Sequence, residues 1–274
     1  MKRYIILLLI MTFALSGCVK RGNTVSAEEK SKKYSYAAEV YGELEFIEPE
    51  SGEKTIVVEF NGKERTFNHE ETFSMCRLDK VVSTYNGEKG AHLEIDDKTG
   101  EILVIFTAEY GSCDDAEMGL SVTEARRLAD EFAKDYIKID EYRVEYEGFS
   151  GKSKFTYLRY IDDYETMDKV SVYISDSGEV VAFCDNNMQE IGNLSYDGFD
   201  EEKAYEAARV AMIEKYPECY PESLYIEDGV FTVKDGKPAI VYYADIAKNV
   251  REDKDGEEKK YCDYELAQVV VTWG

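Results

Sequence analysis

Few residues of this chain have the types and spacings that catalysis or metal binding requires. There are only two histidines, and His69 lies in NHEETF, where a zinc-protease HExxH motif would need histidine at the position of Phe73. His92 lies in AHLEID, whose alternation predicts a strand with His92, Glu94 and Asp96 on one face. These three side chains are weak candidates for holding a cation, and a solvated sheet face is the simpler interpretation.

Other motifs of catalysis and ligand binding are incomplete. The segment GFSGKS would need glycine at Lys152 to form a nucleophile elbow, and glycine at Tyr146 to form a P-loop. The segment REDKDGEE has Arg251 where an EF-hand needs its first ligand, and Cys262 where it needs its bidentate glutamate. The interpretation of this segment as a looser acidic loop that binds Ca²⁺ weakly is left open. The 57 acidic residues supply many close carboxylate pairs, so they single out none for a glycosidase-like hydrolase.

The N-terminal segment predicts export and covalent modification of one cysteine. Lys2 and Arg3 precede an apolar run, and the residues LSG come directly before Cys18. This segment resembles the lipobox of bacterial lipoprotein signals. The resemblance implies cleavage before Cys18 and lipidation of its thiol, with fatty acids such as palmitate. The apolar run is shorter than the ~20 residues that cross a bilayer. The alternatives are an ordinary signal peptide that contains a cysteine and an uncut membrane anchor.

We therefore expect a signal peptide over residues 1–17, a flexible tether over 18–34, and an extracytoplasmic body anchored to the cell membrane by lipid alone. The net charge is −24, and the signal peptide carries two positive charges, so the mature chain would have −26. A charge of this sign excludes nucleic acid as a partner, because phosphates require a basic face. Solubility is the simplest reason for the acidity, with cation binding or a basic protein partner as alternatives.

The cysteine count leaves undecided whether the chain forms one intramolecular disulfide. Lipidation of one of the six cysteines would leave five, so at least one stays unpaired within the chain. None lies in a CxxC motif, and no Cys/His spacing is that of a zinc site. Cys184 lies in a strand-like run and is explained as a small buried side chain. No pair is identified among the remaining candidates: Cys76, Cys113, Cys184, Cys219 and Cys262.

Two amphipathic helices, each followed by strands, organise the body. The first begins at Ser121, with Glu124 three residues later, and the second begins at Asp200 and ends before Pro217. Alanines along the second helix would let it approach a sheet closely. Segments that alternate with period two follow each helix and predict antiparallel strands, hence an α+β fold. Upstream of the first helix we expect strands over 37–47 and 55–60 and a helical segment over 68–80.

The turn sequence ISDSGEVV carries a family resemblance. Together with the capped helix before it, this turn resembles PepSY-type domains over residues 119–185, and more loosely over 200–273. A similar turn in HLEIDDKTGEILVI indicates a third, imperfect copy upstream. The resemblance implies repeated units of one helix packed on an antiparallel sheet, family roles in inhibiting or chaperoning peptidases, and no catalytic residues. We therefore expect a degenerate β-rich unit over 35–115 and PepSY-like units over 116–197 and 198–274.

The incomplete motifs and the resemblance together predict a non-catalytic, lipid-anchored envelope protein that binds a protein or peptide. Modulation of a peptidase is a use that the resemblance implies. A sheet edge, or a face bearing some of the 22 tyrosines, would pair with an extended segment of the partner. The alternatives are an envelope hydrolase using carboxylates and a solute-binding or cation-binding sensory module. No cofactor is expected.

Overall fold

The chain folds as an α+β protein in which helices pack on a long mixed sheet. Tyr34–Gly274 form one compact unit. The signal peptide, Cys18 and nearly all of the tether lie outside the described residues, as do Cys113 and Cys219. The computed structural model describes residues 34–41, 45–46, 55–111, 119–149, 151–217, 224–251 and 261–274.

The described residues form fifteen strands and two α-helices, with short 3-10 turns between some of them. The strands expected over 37–47 and 55–60 are confirmed where those residues are described. Among the described residues, no helix is long and apolar enough to cross a bilayer. In chain order the elements are β1 (Tyr36–Tyr41), β2 (Glu45–Phe46), β3 (Thr55–Phe60), β4 (Lys63–Met75), β5 (Lys80–Gly87), β6 (His92–Asp96), β7 (Ile102–Phe106), α1 (Val122–Ala133), β8 (Arg143–Phe149), β9 (Lys152–Ile161), β10 (Tyr164–Ser175), β11 (Val180–Asp185), α2 (Glu201–Lys215), β12 (Tyr225–Ile226), β13 (Val230–Lys234), β14 (Lys237–Arg251) and β15 (Tyr261–Trp273).

Hydrogen bonding joins these strands into one sheet. The order is β1-β15-β14-β13-β10-β11-β7-β6-β5-β4-β2, with β9 between β8 and β10, β12 beside β14, and β3 beside β4. The described neighbours are antiparallel apart from β10 and β13, which meet in parallel at Thr166 and Phe231. Because this junction is one residue pair, it divides the sheet into an N-terminal part, which carries α1, and a C-terminal part, which carries α2.

Helix α1 packs on the N-terminal part of the sheet. Its N-cap is Ser121, whose Oγ accepts a hydrogen bond from the Glu124 amide at 3.2 Å, as the capping pattern predicts. Three alanines of α1 are fully buried, so the helix backbone lies close to β9 and β10. The core cluster beneath it includes buried side chains of β9, β10 and β11: Phe155, Tyr157, Val170, Val172, Ile174 and Phe183.

Helix α2 packs on the C-terminal part in the same manner. Asp200 is the N-cap, and its Oδ1 accepts a hydrogen bond from the Lys203 amide at 3.2 Å. The buried face carries Ala204, Ala208 and Met212, and it lies on β15 and β1. Both helices are therefore anchored by small residues, which is the close approach that the alanine stripe of α2 predicts.

Strand β1 links the two ends of the described chain. It pairs antiparallel with β15, with Tyr36 opposite Trp273. Just before it, Ser35 and Gly274 exchange backbone hydrogen bonds, N to O, at 3.2 and 3.3 Å. The C-terminal part of the sheet is thus extended by a strand from the opposite end of the sequence.

The helical segment expected over residues 68–80 is wrong. These residues form the second half of β4, a 3-10 turn at Cys76–Leu78 and the start of β5. Over these residues β4 pairs with β5 on one edge and, at Phe73 and Ser74, with β2 on the other, and Phe73 is buried. Pairing and burial along a long strand override the weak local pattern.

Candidate functional site

A groove runs along the C-terminal part of the sheet, between α2 and β1. Its volume is about 420 Å³, and it opens widely to solvent. Apolar side chains line it, with Ala38 from β1 and Ala207, Val210 and Ala211 from α2. Charged residues lie along its helical rim: Lys203, Glu206 and Glu214.

Small residues and one tyrosine shape this groove. On α2, one row of alanines is buried against the sheet, whereas Ala207 and Ala211 are half-buried at its side and leave open space. Tyr36 lies near the start of α2. Its hydroxyl donates a hydrogen bond to the backbone oxygen of Gly198 at 2.8 Å, and its ring stacks on Trp273 with centroids 6.4 Å apart. These contacts hold β1 at a fixed distance from the helix.

Along its outer edge, which borders the groove, the backbone of β1 presents hydrogen-bonding groups that no described strand uses. Ser35 and Gly274 exchange both backbone bonds, so the antiparallel alternation turns every second residue of β1 toward β15 and the others away. The groups that point away belong to Tyr36, Ala38 and Val40. Among the described residues, no strand pairs with this edge. The edge therefore offers alternating N–H and C=O groups beside an apolar groove.

Ion pairs along α2 leave its rim with acidic character. Lys203 Nζ lies 2.5 Å from Asp200 Oδ2, and Arg209 Nε lies 2.9 Å from Glu206 Oε2. Within the described part of the chain, Glu214 has no ion pair. Because the basic groups are already neutralised and the net charge of the whole chain is −24, the groove favours a basic partner over an acidic one.

A second free edge, at β8, is built differently. Among the described strands β8 pairs with β9 alone. Its exposed side chains include Arg143, Glu145 and Glu147. Charged side chains are a common protection of an edge against pairing. The edge of β1 is the better candidate for recognition, because it combines free backbone groups with an apolar groove.

The structure does not gather His92, Glu94 and Asp96 into a metal site. His92 Nε2 lies 3.1 Å from Glu94 Oε1, and this hydrogen bond raises the pKa of His92. Asp96 is buried and accepts hydrogen bonds from Lys80 Nζ at 3.1 Å and from the Lys98 amide at 2.9 Å. Over the described residues, no group of three His, Cys, Asp or Glu side chains is arranged to hold a metal ion.

Two other residues with potential chemistry are engaged in packing. His69 Nε2 lies 3.0 Å from Thr72 Oγ1, and its ring packs edge-on against Tyr85. Cys184 is a free, half-buried thiol in β11, and burial raises its pKa to about 12. A thiol that stays protonated is a poor nucleophile, in agreement with the interpretation of Cys184 as a small core residue.

The tyrosines of the N-terminal part are used mainly in internal contacts. On the sheet face opposite α1, Tyr110 and Tyr173 pack edge-to-face with centroids 5.5 Å apart, and Phe106 packs against both. The ammonium groups of Lys152 and Lys154 lie 5.7 and 5.8 Å from the ring centroids of Tyr110 and Tyr173. Tyr173 is only 8% exposed. This cluster is a packed layer and offers a partner little free aromatic surface.

The sequence pattern did not reveal the groove itself. The alanine stripe of α2 predicts close approach to a sheet, but not which strand lies beneath it. Two facts in the sequence, taken together, were the available signal. YAAEVY alternates as a strand, and the segment that follows the second helix ends without the turn sequence ISDSGEVV that the first segment has. YAAEVY thus offers a strand without a local partner, and the segment after the second helix offers a sheet that lacks its final strand. This would have been a reason to predict that the two pair.

Comparisons with known proteins add little beyond the fold. No protein-family model matches the chain, and the curated proteins include no match. Among solved structures, the Bacillus megaterium YpeB C-terminal domain is similar over 76% of this chain and 88% of its own, at 14% identity and a TM-score of 0.33. An uncharacterized protein from Eubacterium rectale is similar over 78% of this chain and 72% of its own, at 12% identity and a TM-score of 0.29. Scores this low carry no argument about function.

Proposed function

We propose that this chain is a non-catalytic, lipid-anchored envelope protein that binds an extended segment of another protein in the groove between α2 and β1. The observation that carries the proposal is the set of outward-facing backbone groups on Tyr36, Ala38 and Val40, next to the apolar groove. A partner strand would add to the sheet edge there, and the backbone bonds would supply affinity independent of sequence.

The residues of the groove walls determine which side chains of the partner are favoured. In an added strand, alternate side chains point to the same face, so every second residue of the partner would lie against Ala207, Val210 and Ala211. These walls accept aliphatic side chains and exclude water from them. The residues between would face solvent or the rim, where Glu214, which has no ion pair among the described residues, favours Lys or Arg. The expected ligand is an extended segment that alternates aliphatic and basic residues.

The PepSY resemblance supports a protein partner. Each helix begins at a side-chain N-cap and buries a row of alanines on antiparallel strands, as expected of two copies of one unit. In the first segment, the turn after β10 returns the chain as β11, antiparallel to β10. In the second, β1 lies antiparallel to β15, where such a return strand would lie. Occlusion of a bound segment from a peptidase is the regulatory use that this family resemblance implies.

The experiment selects a peptide ligand and then locates its binding site with matched variants. The full-length chain, purified in detergent, is panned against a random decapeptide library, and the selected peptides are measured by fluorescence anisotropy. Val210→Trp places a large ring in the groove, from a position that is 42% exposed. We expect it to weaken binding at least tenfold, because the ring occupies the space for the ligand's side chains.

Tyr205→Trp is the control, because Tyr205 lies on the same helix, is 41% exposed and does not line the groove. It should leave the affinity unchanged. The proposal fails if the library yields no enriched alternating sequence, or if the selected peptides bind Val210→Trp as tightly as the unmodified chain.

A further inference from the structure

A separate cavity lies at the other helix, beyond the end of α1. Its volume is about 360 Å³. It is lined by residues from β3, β7 and β11 and by residues that follow α1 and β11 in the chain. The apolar lining consists of Phe60, Ile102, Tyr136 and Phe183. The polar lining consists of Glu101, Asp135, Asp185, Asn187 and Gln189. Among the described residues, no basic side chain contributes to this lining.

Aromatic rings form one wall of the cavity. The rings of Tyr136 and Phe183 have centroids 4.4 Å apart, and Phe132 packs against both at 5.3 Å. Phe60 packs edge-on against Phe132 at 5.9 Å. Tyr136 is 45% exposed, so its ring borders both the cavity and the solvent. Contacts on this scale fix the ring orientations before any ligand arrives.

A buried carboxylate forms the polar end. Asp185 is only 6% exposed, and its Oδ1 accepts a hydrogen bond from the Asn187 amide at 2.6 Å. Gln189 Nε2 lies 3.4 Å from each carboxylate oxygen. Among the described residues Asp185 has no ion pair, and Lys80, which acts on it electrostatically, is bonded to Asp96 at 3.1 Å. The cavity therefore holds a carboxylate that lacks a direct counter-ion.

We propose that this cavity binds a small organic cation, an ammonium group on an apolar body. The ammonium would lie beside Asp185 and the ring of Tyr136, where a carboxylate and a ring quadrupole attract positive charge. The apolar body would lie against Phe60 and Ile102. An anion would meet Glu101, Asp135 and Asp185 without a basic group.

A bare metal ion suits this cavity less well than an organic cation. The described residues include no group of three His, Cys, Asp or Glu side chains arranged for a metal. The apolar and aromatic lining would leave most coordination positions of an inorganic ion unfilled, whereas it matches the body of an amine. The site is independent of the α2–β1 groove, because the two share no lining residue.

Binding should depend on pH through the charge of Asp185. The charged or titratable groups that act on it are Asp168 on β10, Lys80 on β5 and Tyr136 after α1. Glu101 also lines the cavity. Burial raises the pKa of Asp185 to about 6. The affinity for an amine should therefore fall about tenfold between pH 7.5 and pH 5, as this carboxylate takes up a proton.

The test uses isothermal titration calorimetry on the full-length chain at pH 7.5, with 2-phenylethylamine as the cationic probe and 2-phenylethanol as its neutral counterpart. We expect the amine to bind at least tenfold more tightly than the alcohol. Asp185→Asn should remove that preference, since it keeps the size and polarity of the side chain but not its charge. Asp163→Asn, at an exposed carboxylate outside the cavity, should change nothing.

Tyr136→Leu supplies a second variant that does not depend on the fold tolerating a change at Asp185. Tyr136 is partly exposed, and leucine keeps the apolar contact while removing the ring. We expect weaker amine binding and unchanged alcohol binding. The proposal is overturned if neither probe binds, if amine and alcohol bind equally to the unmodified chain, or if Asp185→Asn binds the amine as before.

Discussion

Asp185 is a buried acid whose charge costs the folded state stability. Its residue is 6% exposed, and burial raises its pKa to about 6 from an ordinary value of 3.8. Above pH 6 the folded chain must hold a carboxylate that it solvates poorly. Stability therefore falls as the pH rises from about 4 to about 6, stays lower above that, and is recovered below about pH 4. Residues kept at such a cost are often functional ones.

Asp185→Asn should therefore stabilise the protein at high pH. We expect the free energy of unfolding, measured by urea denaturation, to rise by about 1–3 kcal/mol at pH 8 and to change little at pH 4. The asparagine Oδ1 can still accept the hydrogen bond of the Asn187 amide. Asp163→Asn, at an exposed carboxylate, should show no such difference between the two pH values. An equal effect of Asp185→Asn at both pH values would contradict the prediction.

At the residue scale, the sequence predicts features that depend on local geometry. The N-caps Ser121 and Asp200 are found as expected. Gly100 and Gly178 have φ of +74° and +84°, the left-handed conformation that their hairpin turns predict. Asp185 could not be identified, because an acid at the end of a strand is typical of a solvated turn. The groups around it come from distant parts of the chain, with Asp168 on β10, Lys80 on β5 and Tyr136 after α1.

At the element scale, β1 contains two sets of amides with different protection. The alternation fixed by Ser35 and Gly274 turns the amides of Ala37 and Glu39 toward β15 and those of Tyr36, Ala38 and Val40 away from it, to the outer edge of β1. The first set is bonded within the sheet. The second set lacks a partner strand among the described residues, and it would gain one on peptide binding.

Amide hydrogen exchange followed by NMR tests this division. In the free protein, the amides of Tyr36, Ala38 and Val40 should exchange much faster than those of Ala37 and Glu39. Addition of a peptide selected in the panning experiment should slow the fast set and leave the slow set as it was. Equal protection of both sets in the free chain would show that this edge is already occupied.

Element prediction succeeds where neighbours in sequence are neighbours in the fold. The helices and the hairpins after them follow from periodicity and caps, because their partners lie nearby in the chain. The helix expected over 68–80 is wrong, since pairing of β4 on both edges decides its conformation. The groove was not predicted because β1 pairs with β15, more than 200 residues away, so its signal lies in two distant segments and not in any local pattern.

At the scale of the whole molecule, acidity and attachment act together. The net charge of −24 would repel the body from anionic lipid, so membrane attachment would need a covalent anchor. We propose that this anchor is lipid at Cys18, with residues 18–34 as tether and the body outside the cell membrane. The tether would join the body directly before β1, close in sequence to the peptide groove.

Lipidation is tested by metabolic labelling of producing cells with an alkyne analogue of palmitate. The unmodified chain should carry the label, and Cys18→Ser should not, because the thiol that accepts the diacylglycerol is absent. Cys184→Ser is the matched control and should be labelled normally, since Cys184 is a half-buried residue of β11. Label on the Cys18→Ser protein would exclude this cysteine as the attachment site.

The pairing of β1 with β15 also sets the order in which the protein can be built. During synthesis, β1 leaves the ribosome more than 200 residues before the strand it needs. Until Trp273 emerges, α2 and β1 have no sheet between them, and the nascent chain must keep this first strand from mispairing. The C-terminal part of the sheet can therefore close only once β15 is available, whereas the hairpins beneath α1 depend on strands that are neighbours in the chain.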